Sequence, residues 1–230
     1  MLPGAEQVPF GDVASLEAAL STKKFAAFIV EPVQGEAGVI LPPAGYLEAA
    51  QALCRRYGSL LLADQVQTGM FRNGRFLASH HFGITPDIVV IAKALSGGLV
   101  PVCAVLMTDS VYDAVYGSLK RSIVHTSTFS ENGLAMRAGL ATLDVLEEER
   151  LGDRAAEMGE YLRLRLRKSL ADCDVVKEVR GIGLMSGIEL QAPRKLNLRL
   201  YFEAFQKIHP ADAGPAHVPR VARLDTNQRQ

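Results

Sequence analysis

The sequence is short of cysteine, carries no excess of either charge and contains no long apolar run. Its three cysteines, Cys54, Cys103 and Cys173, stand far apart and form no CxxC pair. That spacing argues against a zinc knuckle or a disulfide framework and suits reduced thiols in a cytoplasmic setting. Lysine plus arginine number 25, as do aspartate plus glutamate, so no net field draws the chain to nucleic acid. No uninterrupted apolar stretch approaches the roughly 20 residues of a membrane helix. Met1 to Phe10 lacks the basic-then-apolar order of a signal peptide. The expectation is therefore a protein with neither a nucleic-acid nor a membrane partner. Its 230 residues, 48% hydrophobic and 22% charged, suit one large globular domain or one domain with an appendage.

What is present alternates between short apolar runs and helical patterns. Ala26 to Val30 is almost wholly apolar and ends at Glu31-Pro32, where proline interrupts any regular element. After Gly35, Gly38 and Pro42-Pro43, the residues Tyr46, Leu47, Ala50, Leu53, Cys54 and Tyr57 recur at helical spacing, and Gly58 marks the stop. Ser59 to Ala63 runs into Asp64, and Asp87 to Ala92 runs into Lys93. Strands that are apolar on both sides and separated by crossovers predict a mostly parallel α/β sheet under helices. Val102 to Met107 supplies a further strand, and a helix follows from about Asp109 to Tyr116. In such sheets ligands gather outside the carboxyl ends of the strands, where Asp64 and Lys93 both fall.

Two helices follow, over Asn132 to Glu149 and Asp153 to Leu170, the second with Leu162, Leu166 and Leu170 on its apolar face. Arg163, Arg165, Arg167 and Lys168 read as solvated surface with their stems laid over the core. Val175 to Val179 and Leu184 to Leu190 read as strands around the turn Arg180-Gly181-Ile182-Gly183. The expected division is residues 1–170 as part of a large domain with connecting helices, 171–210 as the start of a smaller one, and 211–230 as a flexible tail.

The chemistry centres on Lys93. Its amine follows an apolar strand and precedes Ala94-Leu95-Ser96-Gly97-Gly98. If desolvated there it can lose its proton and form a Schiff base with an aldehyde cofactor. Asp64 is poorly explained by core packing, because a buried carboxylate needs a partner. A protonated pyridine nitrogen is one such partner. A metal is another, but no histidine or cysteine joins Asp64 at a ligand spacing, and His80 and His81, being adjacent, are expected to point differently. No metal site is expected.

Three segments carry a family resemblance: Glu31-Pro32-Val33-Gln34-Gly35-Glu36-Ala37-Gly38-Val39, Leu62-Ala63-Asp64-Gln65-Val66-Gln67-Thr68-Gly69, and Pro86 through Gly98. In order and separation they resemble the class III aminotransferases of the fold-type I pyridoxal-phosphate superfamily. The likeness continues through His125-Thr126-Ser127-Thr128-Phe129 and Asn132 and through Val179 to Leu184. It implies part of a fold-type I large domain and the start of a small α+β domain, in a protein that is usually a homodimer. It implies pyridoxal 5'-phosphate bound to Lys93, which also moves the proton between substrate and cofactor carbons. Asp64 would pair with the ring nitrogen, Gln67 would lie near the phenolic oxygen, and Thr128 would contact the phosphate across the dimer interface. Glu36 resembles the gating glutamate near the substrate carboxylate or its arginine partner.

Gln65, beside the ring by the same resemblance, stands where the family commonly has glutamate. Ser130-Glu131 and Gly133 also depart from the usual pattern. Family members extend well upstream of the first motif, with a phosphate-binding turn and a ring-stacking aromatic that have no counterpart before Ala26. Arg220, Arg223 and Arg229 do not match the expected substrate-carboxylate arginine. The reaction implied is transfer of an amino group from an amino acid or terminal amine to a 2-oxo acid or aldehyde, incomplete in this chain alone. A non-catalytic fragment or interaction domain, and a pyridoxal-phosphate racemase or aminomutase, are the alternatives that keep Lys93 and Asp64.

Overall fold

A computed structural model describes residues 3–191. The expected continuation of a small domain to residue 210 and the tail at 211–230 lie beyond residue 191, outside the described residues. Four short strands form the central sheet: β1 (Ala27–Val30), β2 (Leu60–Asp64), β3 (Ile88–Ile91) and β4 (Ala104–Met107), ordered β1-β2-β3-β4. β1 to β3 run parallel, with Ile29 opposite Leu62 and Asp64 opposite Val90, while β4 returns antiparallel. The sheet is thus mostly parallel, as its apolar runs predict.

Helix α1 (Val13–Ser21), not anticipated from the sequence, begins where the Asp12 carboxylate accepts the Ser15 N–H at 3.0 Å. Helix α2 (Tyr46–Tyr57) stops at Gly58, which takes the left-handed conformation suited to glycine. Together they cover one sheet face, where Val30 and Leu61 pack with Leu16, Leu20, Leu47 and Ala50. The same face continues through Ala63, Val89 and Ile91 beneath Met70 and Leu95. The opposite face is largely open: Ile29 is 66% exposed and Val105 51%. A strand apolar on both sides implies cover on both sides, so this face marks apolar surface that the described residues leave in water.

Helix α3 (Asp109–Tyr116) leads to α4 (Gly133–Glu148) and α5 (Leu151–Ser169), and a two-stranded sheet of β5 (Val176–Ile182) and β6 (Met185–Leu190) follows. α5 corrects the sequence reading of its faces. It buries Gly152, Ala155, Gly159 and Arg163, while Leu162 is 42% exposed. The inward face is small because the turn between β5 and β6 lies directly on the helix: a Cβ on Gly159 would sit 1.7 Å from the Gly183 carbonyl oxygen. Arg163 is not solvated surface either; its Nη1 donates to the Gly183 carbonyl and its Nη2 meets Glu160 Oε2 at 2.9 Å. Residues through Glu189 form one compact unit.

Candidate active site

β2 and β3 end side by side, and the chain leaves each in a tight turn. After β2, the Gln65 N–H donates to the Val90 carbonyl at 2.9 Å and the Gly69 N–H to the Gln65 carbonyl at 2.8 Å. Within that turn Asp64 Oδ1 accepts the Val66 N–H at 3.0 Å, the local bond a short carboxylate readily makes. Gln65 itself is fully buried. Its Nε2 donates to Ser79 Oγ at 3.1 Å, and its Oε1 accepts the Ser79 N–H at 3.3 Å. Gln65 therefore braces the turn from behind.

Lys93 leaves β3 with φ +50° and opens a short 3₁₀ turn through Ser96. A non-glycine residue in this region stores ~1–3 kcal/mol and persists only where its surroundings hold it. Here buried Leu95 and Ser96 anchor the turn, Ser96 Oγ bonding both backbone groups of Val100. The Lys93 side chain is exposed rather than desolvated, because the turn carries it outward to the rim.

That rim encloses a cleft of about 930 Å³ to which Glu36, Gln67, Lys93, Gly98, Thr142 and Met185 all contribute. Glu36 comes from the loop after β1, which is fastened by the Gln34–Ile40 bridge and by the Gly35 N–H donating to Glu31 Oε2 at 2.9 Å. Gln67 Nε2 donates to Glu36 Oε1 at 2.8 Å. Gly35 makes this closeness possible, since a Cβ there would lie 2.1 Å from Gln67 Oε1. Three of the residues singled out in the sequence, Lys93, Gln67 and Glu36, thus meet in one cleft.

The others do not line it. Asp64 opens on a neighbouring hollow of about 230 Å³ beside Glu31 and Gln34, and no donor among the described residues engages its Oδ2. Gln65 is behind the turn, and Thr128 is exposed in the stretch before α4. The helix hydroxyl-or-amide cap there is Asn132, whose Oδ1 accepts the Ala135 N–H. Of the adjacent histidines, His81 is engaged by Asn73: its Nε2 lies 3.1 Å from the Asn73 carbonyl and 3.0 Å from Asn73 Oδ1. Burial lowers the His81 pKa from its ordinary value. Burial also pushes the Cys54 thiol up to about 11, which leaves it an inert core residue. Sequence reasoning missed Arg180 as an individual: it was legible only as part of a turn, yet its side chain reaches the Glu36 loop at Gly38 and Val39.

The parallel sheet with an amine and a carboxylate at adjacent strand ends defines a class that comparison makes specific. The Aminotransferase class-III family profile matches residues 5–211, and the chain belongs to that family. It is 46% identical over 190 residues to the mitochondrial ornithine aminotransferase of Rattus norvegicus, covering 83% of this chain and 42% of that protein. Identity is also 46%, over 187 residues, to the acetylornithine aminotransferase of Methanothermobacter thermautotrophicus, with 81% and 46% covered. Among solved structures, a Toxoplasma gondii ornithine aminotransferase superposes with a TM-score of 0.78 at 42% identity, over 83% of this chain and 44% of that one. That structure is described as having partial occupancy of pyridoxal phosphate at its active site. The acetylornithine aminotransferase of Elizabethkingia anophelis gives 0.79 at 39% identity, over 88% and 51%. The fold is therefore that of part of a fold-type I transferase, and the chain spans about half the length of the relatives it matches. No helix among the described residues is long and apolar enough to cross a membrane.

Proposed function

We propose that this chain carries the lysine-bearing part of a pyridoxal-phosphate aminotransferase site. The complete protein would move an amino group from an ornithine-like donor to a 2-oxo acid or aldehyde. The observation that carries this reading is the meeting of Lys93, Gln67 and Glu36 in one cleft, with Asp64 ending the adjacent strand. The relatives' names favour the donor class.

The cleft residues suit the cofactor's aldehyde and phenolic oxygen, while Asp64, on a separate hollow at the end of the adjacent strand, is the candidate partner of its ring nitrogen. An exposed amine stands at the cleft rim, the Gln67 amide lines the same cleft, and Asp64 keeps one carboxylate oxygen without a donor among the described residues. Bound there, pyridoxal 5'-phosphate supplies an electron-withdrawing ring that stabilises negative charge on the substrate carbon. Lys93 would hold the cofactor covalently, and its Nζ, once displaced by the substrate amine, would be free to take a proton from the substrate carbon and return it to the cofactor side. Asp64 would pair with the ring nitrogen and so keep it protonated. Gln67 would lie near the phenolic oxygen and Glu36 would gate the substrate carboxylate, while Gln65 holds the Asp64 turn in place through Ser79.

Thr128 reaches the phosphate from a second copy in this reading. The exposed apolar side chains around it, Leu119, Ile123, Phe129 and Leu134, support a homodimer that covers them. Residues 1–170 would form part of the cofactor domain, and β5–β6 would begin the small one. The three free cysteines suit the cytoplasm.

The test is to add pyridoxal phosphate to the purified chain and look for an absorption band that borohydride fixes onto Lys93. The band should vanish in Lys93→Ala. No band in a folded sample would favour the fragment reading, and a band without amino transfer in a donor and acceptor screen would favour the racemase or aminomutase.

A further inference from the structure

The loop that presents Glu36 has internal bonds at its base, but its tip is strained and is gripped from outside the loop. Gly38 has φ +110° and Val39 φ +55°, and a β-branched residue in the left-handed region is a genuine outlier. The N–H groups of both residues donate back to the Gly35 carbonyl, at 3.0 and 3.1 Å. That folding turns their own carbonyls away from the loop, toward the β5–β6 pair. There Arg180 receives them: its Nε donates to the Gly38 carbonyl at 3.0 Å and to the Val39 carbonyl at 3.2 Å, and its Nη2 to the Gly38 carbonyl at 2.8 Å.

We propose that Arg180 is the positioning residue of the Glu36 loop, fixing the carboxylate over the cleft by gripping the carbonyls of Gly38 and Val39. Neither Arg180 nor its acidic partners line the cleft, so its action passes through Glu36. The inference rests on the aminotransferase reading for its catalytic meaning, but not for the clamp itself.

The guanidinium is built into place from both sides. Its side chain is only 13% exposed, and Nη1 pairs with Glu178 Oε2 at 2.8 Å and with Glu189. Glu189 is held in turn by Lys177. The bonds from Glu189 first and Glu178 second raise the Arg180 pKa from its ordinary value. A lysine can substitute only in part, since a single ammonium cannot span two carbonyls and two carboxylates as a planar fork does. The consequence is that β5–β6, distant in sequence, determines how Glu36 meets a substrate.

Hydrogen exchange at the Gly38 and Val39 amides of the 230-residue chain tests the clamp without any cofactor. Arg180→Gln should speed both about tenfold and Arg180→Lys less, with the β2 and β3 amides unchanged. Unchanged exchange at Gly38 and Val39 would overturn the proposal, as would an increase spread evenly through β2 and β3. In the cofactor-loaded chain, the ornithine concentration that converts half of the Lys93-linked band should rise severalfold in Arg180→Gln, with cofactor affinity unaltered. That rise should disappear in a Glu36→Gln background, and its persistence there would show that Arg180 does not act through Glu36. A wild-type chain that took up no cofactor would count against the aminotransferase reading alone, because the exchange measurement still decides the clamp.

Discussion

Gln67 and Glu36, 31 residues apart in the chain, meet through an Nε2–Oε1 hydrogen bond of 2.8 Å at the mouth of the cleft. The bond joins the loop after β1 to the turn after β2, and its two partners have separate tasks in the proposed reaction. It depends on the bare Cα of Gly35.

Gly35→Ala should break it. The added methyl would fall 2.1 Å from Gln67 Oε1, and the flexible amide, not the backbone, will give way. Stability should change by less than ~1 kcal/mol, while pyridoxal-phosphate affinity falls severalfold. A spectroscopic titration with unchanged affinity would show that Gln67 has no part in holding the cofactor.

Lys93 should display a conflict between function and stability. Replacing it by glycine removes the amine and also the strain of φ +50°. Lys93→Gly should therefore abolish the borohydride-fixed adduct yet gain up to ~1 kcal/mol in thermal denaturation. A clear loss of stability would mean that the lysine conformation is not strained.

Arg163 and Arg165 sit two residues apart on α5 and should behave oppositely. Arg163 is 5% exposed and bonds the Gly183 carbonyl and Glu160. Its replacement by methionine strands a buried carbonyl and should cost about 2–4 kcal/mol in urea unfolding. Arg165→Ala, on the exposed face, should stay within ~0.5 kcal/mol. Equal effects would remove the distinction between them.

His81 should make stability fall on mild acidification. Burial chiefly, then repulsion from Arg75 and His80, holds its pKa below the ordinary value, against the opposing pull of Asn73. The unfolded chain thus takes the proton more readily. Stability is full above the unfolded value of about 6.5 and declines as the pH drops through it toward the lower folded value. Urea midpoints between pH 7.5 and 5 should fall less steeply in His81→Gln, and parallel slopes would show that another group titrates.

Much of the scaffold was legible because it is set by near neighbours. The apolar runs before Glu31, Asp64 and Lys93 became β1, β2 and β3, and Gly58 ended α2 where its spacing indicated. The inward face of α5 was not legible. Leucines at helical spacing normally mark the core, but here a second element approaches so closely that only Gly159 and its small neighbours fit beneath it. α1 was overlooked although Asp12 and Ser15 supply its cap.

The order of residues alone determined which groups stand at strand ends, and so which amine and carboxylate are available for chemistry. Only the folded chain decided who their companions are. It brought Gln67 to Glu36, turned Gln65 toward Ser79 and carried Arg180 to Gly38 across 142 positions. Strand and turn preferences act over a few residues, whereas these contacts depend on how whole elements dock, which no short window of sequence encodes.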